Sequence, residues 1–208
     1  MKENALMAPV PSEPSFGVAT ALVTSNKDPE DLCRVRVRYP WQEGSRATYW
    51  ARLAMPMAGA DRGVVLIPEV GDEVVVAFGR GDLRSPYVLG SLWNGKSKPP
   101  LANSNGKNDR RVIKSRKGHK LLFDDGARGV VELAHVGGRK VMLDDDGIRI
   151  EDKNGNRIRI ESASGRISLE ADGALSIKAT TITIEATGTL DLKASATLTV
   201  RGAQVSIN

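Results

Sequence analysis

GIRIEDKNGNRIRIESASGRISLEADGALSIKATTITIEATGTLDLKASATLTVRGAQVSIN, residues 147 to 208, is a ladder of short, near-identical units. An internal repeat of this kind outranks any other local signal. Its apolar pairs are Ile148/Ile150, Ile158/Ile160, Ile167/Leu169, Leu175/Ile177, Ile182/Ile184, Leu190/Leu192, Leu198/Val200 and Val205/Ile207, starting 10, 9, 8, 7, 8, 8 and 7 residues apart. Alternation within a unit is strict: Ile182, Ile184 and Ala186 point one way, Thr181, Thr183 and Glu185 the other, as a period-two strand demands. Each unit therefore has one dry face and one wet face.

A unit of seven or eight residues leaves two or three for each corner, and its apolar pair is too small to fill a single-chain solenoid, whose coils need about 20 residues or more. Three chains wound together solve the problem, because each supplies one side of a triangular prism and the apolar pairs meet on the axis. The expectation is an all-β chain whose residues 113–208 form an intertwined triple-stranded β-helix, a homotrimer with those sixteen residues as its core. The stretches KLLFDD, VVELAH and KVMLDD extend the pattern upstream to about a dozen strands, a needle on the order of 55 Å long at about 4.8 Å per strand. Lys178, Arg159, Glu161, Lys193, Arg201 and Thr183 on the wet face keep it soluble and discourage lateral pairing.

Upstream the character differs. Residues 15–93 hold about five short alternating runs, including GVATALVTS, LCRVRVRYPW, TYWARLAMP, GVVLIPEVGDEVVVAF and SPYVLGSLW, separated by turn-rich pieces. So many short strands suit a small closed barrel of the OB type, which leaves no open edges. Residues 94–112, with two adjacent prolines and Asn-Gly turns, read as a linker or neck, and residues 1–14, with Pro9, Pro11 and Pro14, as an extended docking arm. Only 4 % of residues are aromatic while Gly numbers 21, which also favours strands and turns. The lone Cys33 is expected to be a small buried strand residue.

Residues 17–100 resemble the OB domain of the VgrG and phage baseplate spike family (the gpV and gp5 type). The resemblance rests on GVATALVTSNKDPEDLCRVRVRYPW, on YWARLAMPMAGADRGVVLIPEVGDEVVVAFGRGDLRSPYVLGSLWNG and on the trailing KPP. Its motif positions here are Trp50, Ala58, Gly59, Gly63, Pro68, Gly71, Asp72, Glu73, Gly81, Asp82, Pro86 and Gly90. The resemblance implies a central spike that pierces a membrane mechanically, in a short form without a hub or lysozyme domain. It also implies a separate hub protein of the gp27 or gpD type at the barrel, and transient contact with the target membrane. Neither histidine, His119 or His135, lies near the end of the chain, so the apical His-x-His iron site of some short spikes is not expected. A PAAR-type tip protein docking at Val205, Ile207 and Asn208 is expected to cap the needle instead.

Other functions fit less well. Gly90–Ser97, GSLWNGKS, matches the phosphate-loop spacing GxxxxGK[ST], but Pro99 and Pro100 forbid the helix that such a loop must open. Asp152, Asn154 and Asn156 open like a calcium loop, yet Arg157 stands where its glycine belongs. The Asp-Gly runs are read as turns. Net charge is +5, split as +3 over residues 1–112 and +2 over residues 113–208, which gives no concentrated nucleic-acid footprint. Nine bases against one acid between Lys96 and Lys120 precede eight acids against four bases in residues 121–152. Without aromatics to stack bases, this is read as charge packing between neighbouring chains at the neck, and no nucleic acid is expected. An OB-type module binding single-stranded nucleic acid or oligosaccharide is the alternative. No nucleophile has a base partner, so no enzyme activity and no cofactor or metal are expected. Without an apolar leader, the protein is expected to be made in the cytoplasm and assembled into the baseplate of a phage tail or injection particle.

Overall fold

Five short runs alternate apolar with polar residues and so bury one side each: β1 (Val18–Ser25), β2 (Val35–Arg38), β3 (Tyr49–Leu53), β6 (Glu73–Phe78) and β7 (Pro86–Leu92). Between β3 and β6 lies a two-residue hairpin of β4 (Ala58–Gly59) and β5 (Arg62–Gly63). In the computed structural model, which describes residues 17–42 and 47–207, the five runs close into a barrel in the order β1-β2-β3-β7-β6, with β6 returning to β1. All neighbours are antiparallel except β3 and β7, which run parallel. The expected arm at residues 1–14 lies outside the described residues, as does Asn208.

Val23, Val35, Val37, Ala51, Val74, Val76 and Val88 fill the barrel. Tyr39 is its largest buried side chain: it stacks on Trp41 and Tyr49 at centroid distances of 4.9 and 5.3 Å, and meets the Phe78 ring edge-on at 5.6 Å. Its hydroxyl donates to the Leu83 carbonyl at 2.6 Å, and burial holds the phenol's pKa well above the usual tyrosine range.

Two expectations are corrected in the loops. Cys33 is exposed, not a buried strand residue, and sits at φ 56° just before β2. The cause is Asp28, whose carboxylate accepts the N–H groups of Glu30, Leu32 and Arg34 and is gripped by the Arg34 guanidinium at 2.8 and 2.9 Å. That grip folds residues 28–34 into a loop and holds the carboxyl well below the usual range. The apolar run from Val64 to Pro68 is not part of the barrel ladder either, and Val65 and Leu66 stand in solvent.

Asn108–Asn208 form a second unit. Seven strands of five residues each make an antiparallel meander in chain order: β8 (Arg110–Lys114), β9 (Lys120–Asp124), β10 (Val130–Ala134), β11 (Lys140–Asp144), β12 (Gly147–Glu151), β13 (Arg157–Glu161) and β14 (Arg166–Glu170). The first of them opens at Arg110, inside the stretch read from sequence as linker. Asp124, Asp144 and Asp152 close three of the turns by accepting the N–H groups of Gly126, of Asp146 and Gly147, and of Asn154 and Asn156. Past Glu170 the repeat tightens and the reversals stop. The chain instead bends at Asp172-Gly173, Thr180, Thr187-Gly188, Ser195-Ala196 and Ala203, with no ladder partner within the chain among the described residues.

Candidate assembly interface

Strand register sorts the side chains of the second unit onto two unlike faces. On one, Phe123, Val131, Leu143, Ile148, Ile160 and Ile167 lie opposite one another in a column across the strands. Beside it runs a second column of Ile113, Leu121, Leu133, Val141, Ile150, Ile158 and Leu169. Seven strands at about 4.8 Å make this strip roughly 30 Å long and two side chains wide.

The opposite face is charged, and it is the better shielded of the two. Asp144 is 3 % exposed beside the Arg149 guanidinium, whereas Ile150 is 44 % exposed. Lys120 pairs with Glu132 at 2.6 Å, Lys140 with Glu151 at 2.7 Å and Arg157 with Glu170 at 2.9 Å, all across neighbouring strands. A lone chain thus covers its charges and leaves its apolar face wet, the reverse of what burial favours. An open strip of this size marks an interaction surface.

Of the core residues expected from sequence, Ile148, Ile150, Ile158, Ile160, Ile167 and Leu169 share the strip. Leu175, Ile177, Ile182, Ile184, Leu190, Leu192, Leu198, Val200, Val205 and Ile207 lie in the unpaired stretch, where every described residue from Ala171 onward is exposed. Sequence reading missed the strip's upper members, Ile113, Leu121, Phe123, Val131, Leu133, Val141 and Leu143. Leu122, Val130 and Met142, apolar residues on the charged face, break the alternation that would have marked them.

His119 and His135 sit in two turns at one edge of this sheet, their rings 4.4 Å apart. The Nδ1 atoms accept the N–H groups of Val136 and Gly137 at 3.2 and 2.9 Å, which favours the ring protons on Nε2. Desolvation, then the neighbouring His119 and Arg139, lowers the pKa of His135.

In the barrel the motif positions hold backbone geometry. A Cβ on Gly63 would sit 2.7 Å from the Met57 carbonyl. Gly71, at φ 95°, donates to the Val23 carbonyl at 2.9 Å, and Asp72 receives the Val23 N–H at 3.0 Å. Gly81 adopts φ 77° ahead of Asp82, which binds Arg84, while the buried Pro86 opens β7. Gly90 adjoins a bulge, pairing with Val75 as Val88 pairs with Val76. Trp50 lies under the guanidinium groups of Arg34 and Arg36 at 5.5 and 5.0 Å. Pro68 is buried, and its carbonyl accepts from Asn26 at 3.3 Å. Glu73 accepts from Asn94 at 2.8 Å, whose own Oδ1 takes the N–H groups of Lys96 and Ser97 at 2.9 and 2.8 Å. These are amides that a phosphate loop would need, and they are committed to a side chain.

Residues 19–93 match the model of the type VI secretion system/phage-baseplate injector OB domain. The chain is 36 % identical over 103 residues to the type VI secretion system spike protein VgrG2a of Pseudomonas aeruginosa, covering 46 % of this chain and 12 % of that protein. Over 133 residues it is 30 % identical to spike protein VgrG3 of Vibrio cholerae, covering 58 % of this chain and 13 % of the relative. To the actin cross-linking toxin VgrG1 of Vibrio cholerae it is 30 % identical over 100 residues, covering 44 % and 9 %. The chain therefore spans about a tenth of the length of the curated relatives it matches. The residues that match this OB-domain model are those that form the closed barrel, and a strand ladder follows them in the chain.

Proposed function

We propose that the chain is the central spike of a contractile injection system or phage tail baseplate, a homotrimer that acts mechanically and not as an enzyme. One observation carries this: the apolar strip of β8–β14, with the unpaired repeats after Glu170, is a surface that a single chain leaves uncovered. Bends every seven or eight residues, without reversal, suit a chain that winds around a threefold axis and bonds to its neighbours' backbones. Three copies cover their strips against one another and satisfy the open backbone groups.

In this reading a hub protein of the gp27 or gpD type binds at the barrel, where Val64, Val65 and Leu66 are exposed, and a PAAR-type protein docks at Val205 and Ile207, the latter 91 % exposed. Contact with the target membrane is transient, and no described helix is long and apolar enough to cross one. No nucleic acid takes part. Quantitative mass spectrometry of contractile particles from the native producer tests this. Three copies per particle, together with loss of target killing but not of sheath assembly when Ile184→Asp replaces the natural chain, are the expected results. Particles that lack the chain contradict the reading.

A further inference from the structure

The two long edges of the β8–β14 sheet carry opposite charge. At one edge the turns Ser115–His119, His135–Arg139 and Asp152–Asn156, with adjoining strand ends, bring Lys114, Lys117, Lys120, Arg139, Lys140 and Lys153 together. At the other edge, the entry to β8 and the turns 125–129 and 145–146 gather Asp109, Asp124, Asp125, Asp144, Asp145 and Asp146 around Arg110 and Arg128. The opposition follows the stack: beside β8–β11 the first edge bears lysines and arginines without an acid, while on the other side Asp109 precedes β8, Asp124 ends β9 and Asp144 ends β11.

Several of these charges are satisfied within the chain, as in Arg110–Asp124 at 2.7 Å and Lys140–Glu151 at 2.7 Å. Others have no partner at hand. Among the described residues no salt bridge holds Lys114, Lys117 or Lys153 on the basic edge, or Asp109 or Asp145 on the acidic edge, and Arg128 reaches Asp146 only at 3.9 Å. Identical sheets arranged by rotation about an axis along their stack meet edge to edge. The left edge of one then faces the right edge of the next at the same height.

We infer that the partner of each edge is the opposite edge of a second copy of this chain, the basic edge of one protomer lying against the acidic edge of its neighbour. This rests on the homotrimeric reading and adds to it what sets the copies' register and handed order. The apolar strip supplies the attraction and tolerates sliding, because its two columns are nearly uniform in Ile, Leu and Val. A slip of about one strand sets Glu151 and Asp152, on the first edge beside β12, against the neighbour's Asp144, Asp145 and Asp146, and is penalised. The charged edges also make the order head-to-tail, each copy using one edge to bind the last and the other to bind the next.

Charge reversal with the full chain tests it by sedimentation across a dilution series. Lys114→Glu with Lys153→Glu, and separately Asp109→Lys with Asp145→Lys, are expected to raise the concentration at which trimer dissociates by about tenfold or more, and raising salt from 0.05 to 0.5 M is expected to shrink the difference. All four changes in one chain restore edges of opposite sign and should return the trimer to within about threefold of wild type. Single-edge variants that assemble like wild type overturn the edge pairing and leave the trimer standing, as does a fourfold variant no better than either parent. A wild-type chain that never assembles overturns the reading beneath it.

Discussion

Ile150→Asp is expected to leave the chain monomeric at micromolar concentration, while Ser168→Asp is expected to assemble as the wild type does. Ile150 lies mid-strip, opposite Val141 and Ile158. In the proposed trimer its burial contributes about 2 kcal/mol per chain, roughly 6 kcal/mol in all, and that loss alone shifts dissociation by about 10⁴-fold. Three carboxylates brought together on a dry axis add desolvation and mutual repulsion. Ser168 lies on the other face, opposite Arg159, where a carboxylate gains a cation and meets no neighbouring copy. Ile184→Asp and Thr183→Asp make the same comparison beyond Glu170, with only the first expected to block assembly. Analytical ultracentrifugation reads all four, and a trimeric Ile150→Asp chain would show that the strip is not the interface.

Tyr39→Ala destabilises the barrel more than any other single truncation there. It removes a ring packed by Trp41, Tyr49 and Phe78 and leaves a void that the strands of a closed barrel cannot collapse to fill, costing about 3–5 kcal/mol. Tyr39→Phe keeps the ring and loses only the bond to the Leu83 carbonyl, about 1–3 kcal/mol for a buried acceptor left unpaired. Against a total of about 5–15 kcal/mol, the alanine variant is near the limit of folding and the phenylalanine variant is not. Urea unfolding followed by tryptophan fluorescence measures both. Equal losses would mean that the hydroxyl, not the ring stack, holds this corner of the barrel.

What could be read from sequence follows from how local the determining forces are. The alternation in EVVVAF or in TITIEA is a property of neighbouring residues and gives strand, face and period directly. The placement of Cys33 is not local: Asp28 draws in amides two, four and six residues ahead, a reach no periodicity reports. The ladder divides at Glu170 for a related reason. Upstream of it, Gly-containing loops and the Asp144-capped turn at Asp145-Asp146 reverse the chain and let it pair with itself. Downstream, two or three residues per corner bend the chain without returning it. Sequence showed the repeat throughout but not that change of behaviour, nor the upper strip residues masked by Leu122, Val130 and Met142.

The claim on which the rest depends is that one chain cannot cover its own apolar strip. Light scattering of the purified wild-type chain at micromolar concentration tests it most directly. Three times the 22.3 kDa chain mass, held on dilution, is the expected result; a stable, soluble particle of one chain mass would contradict it.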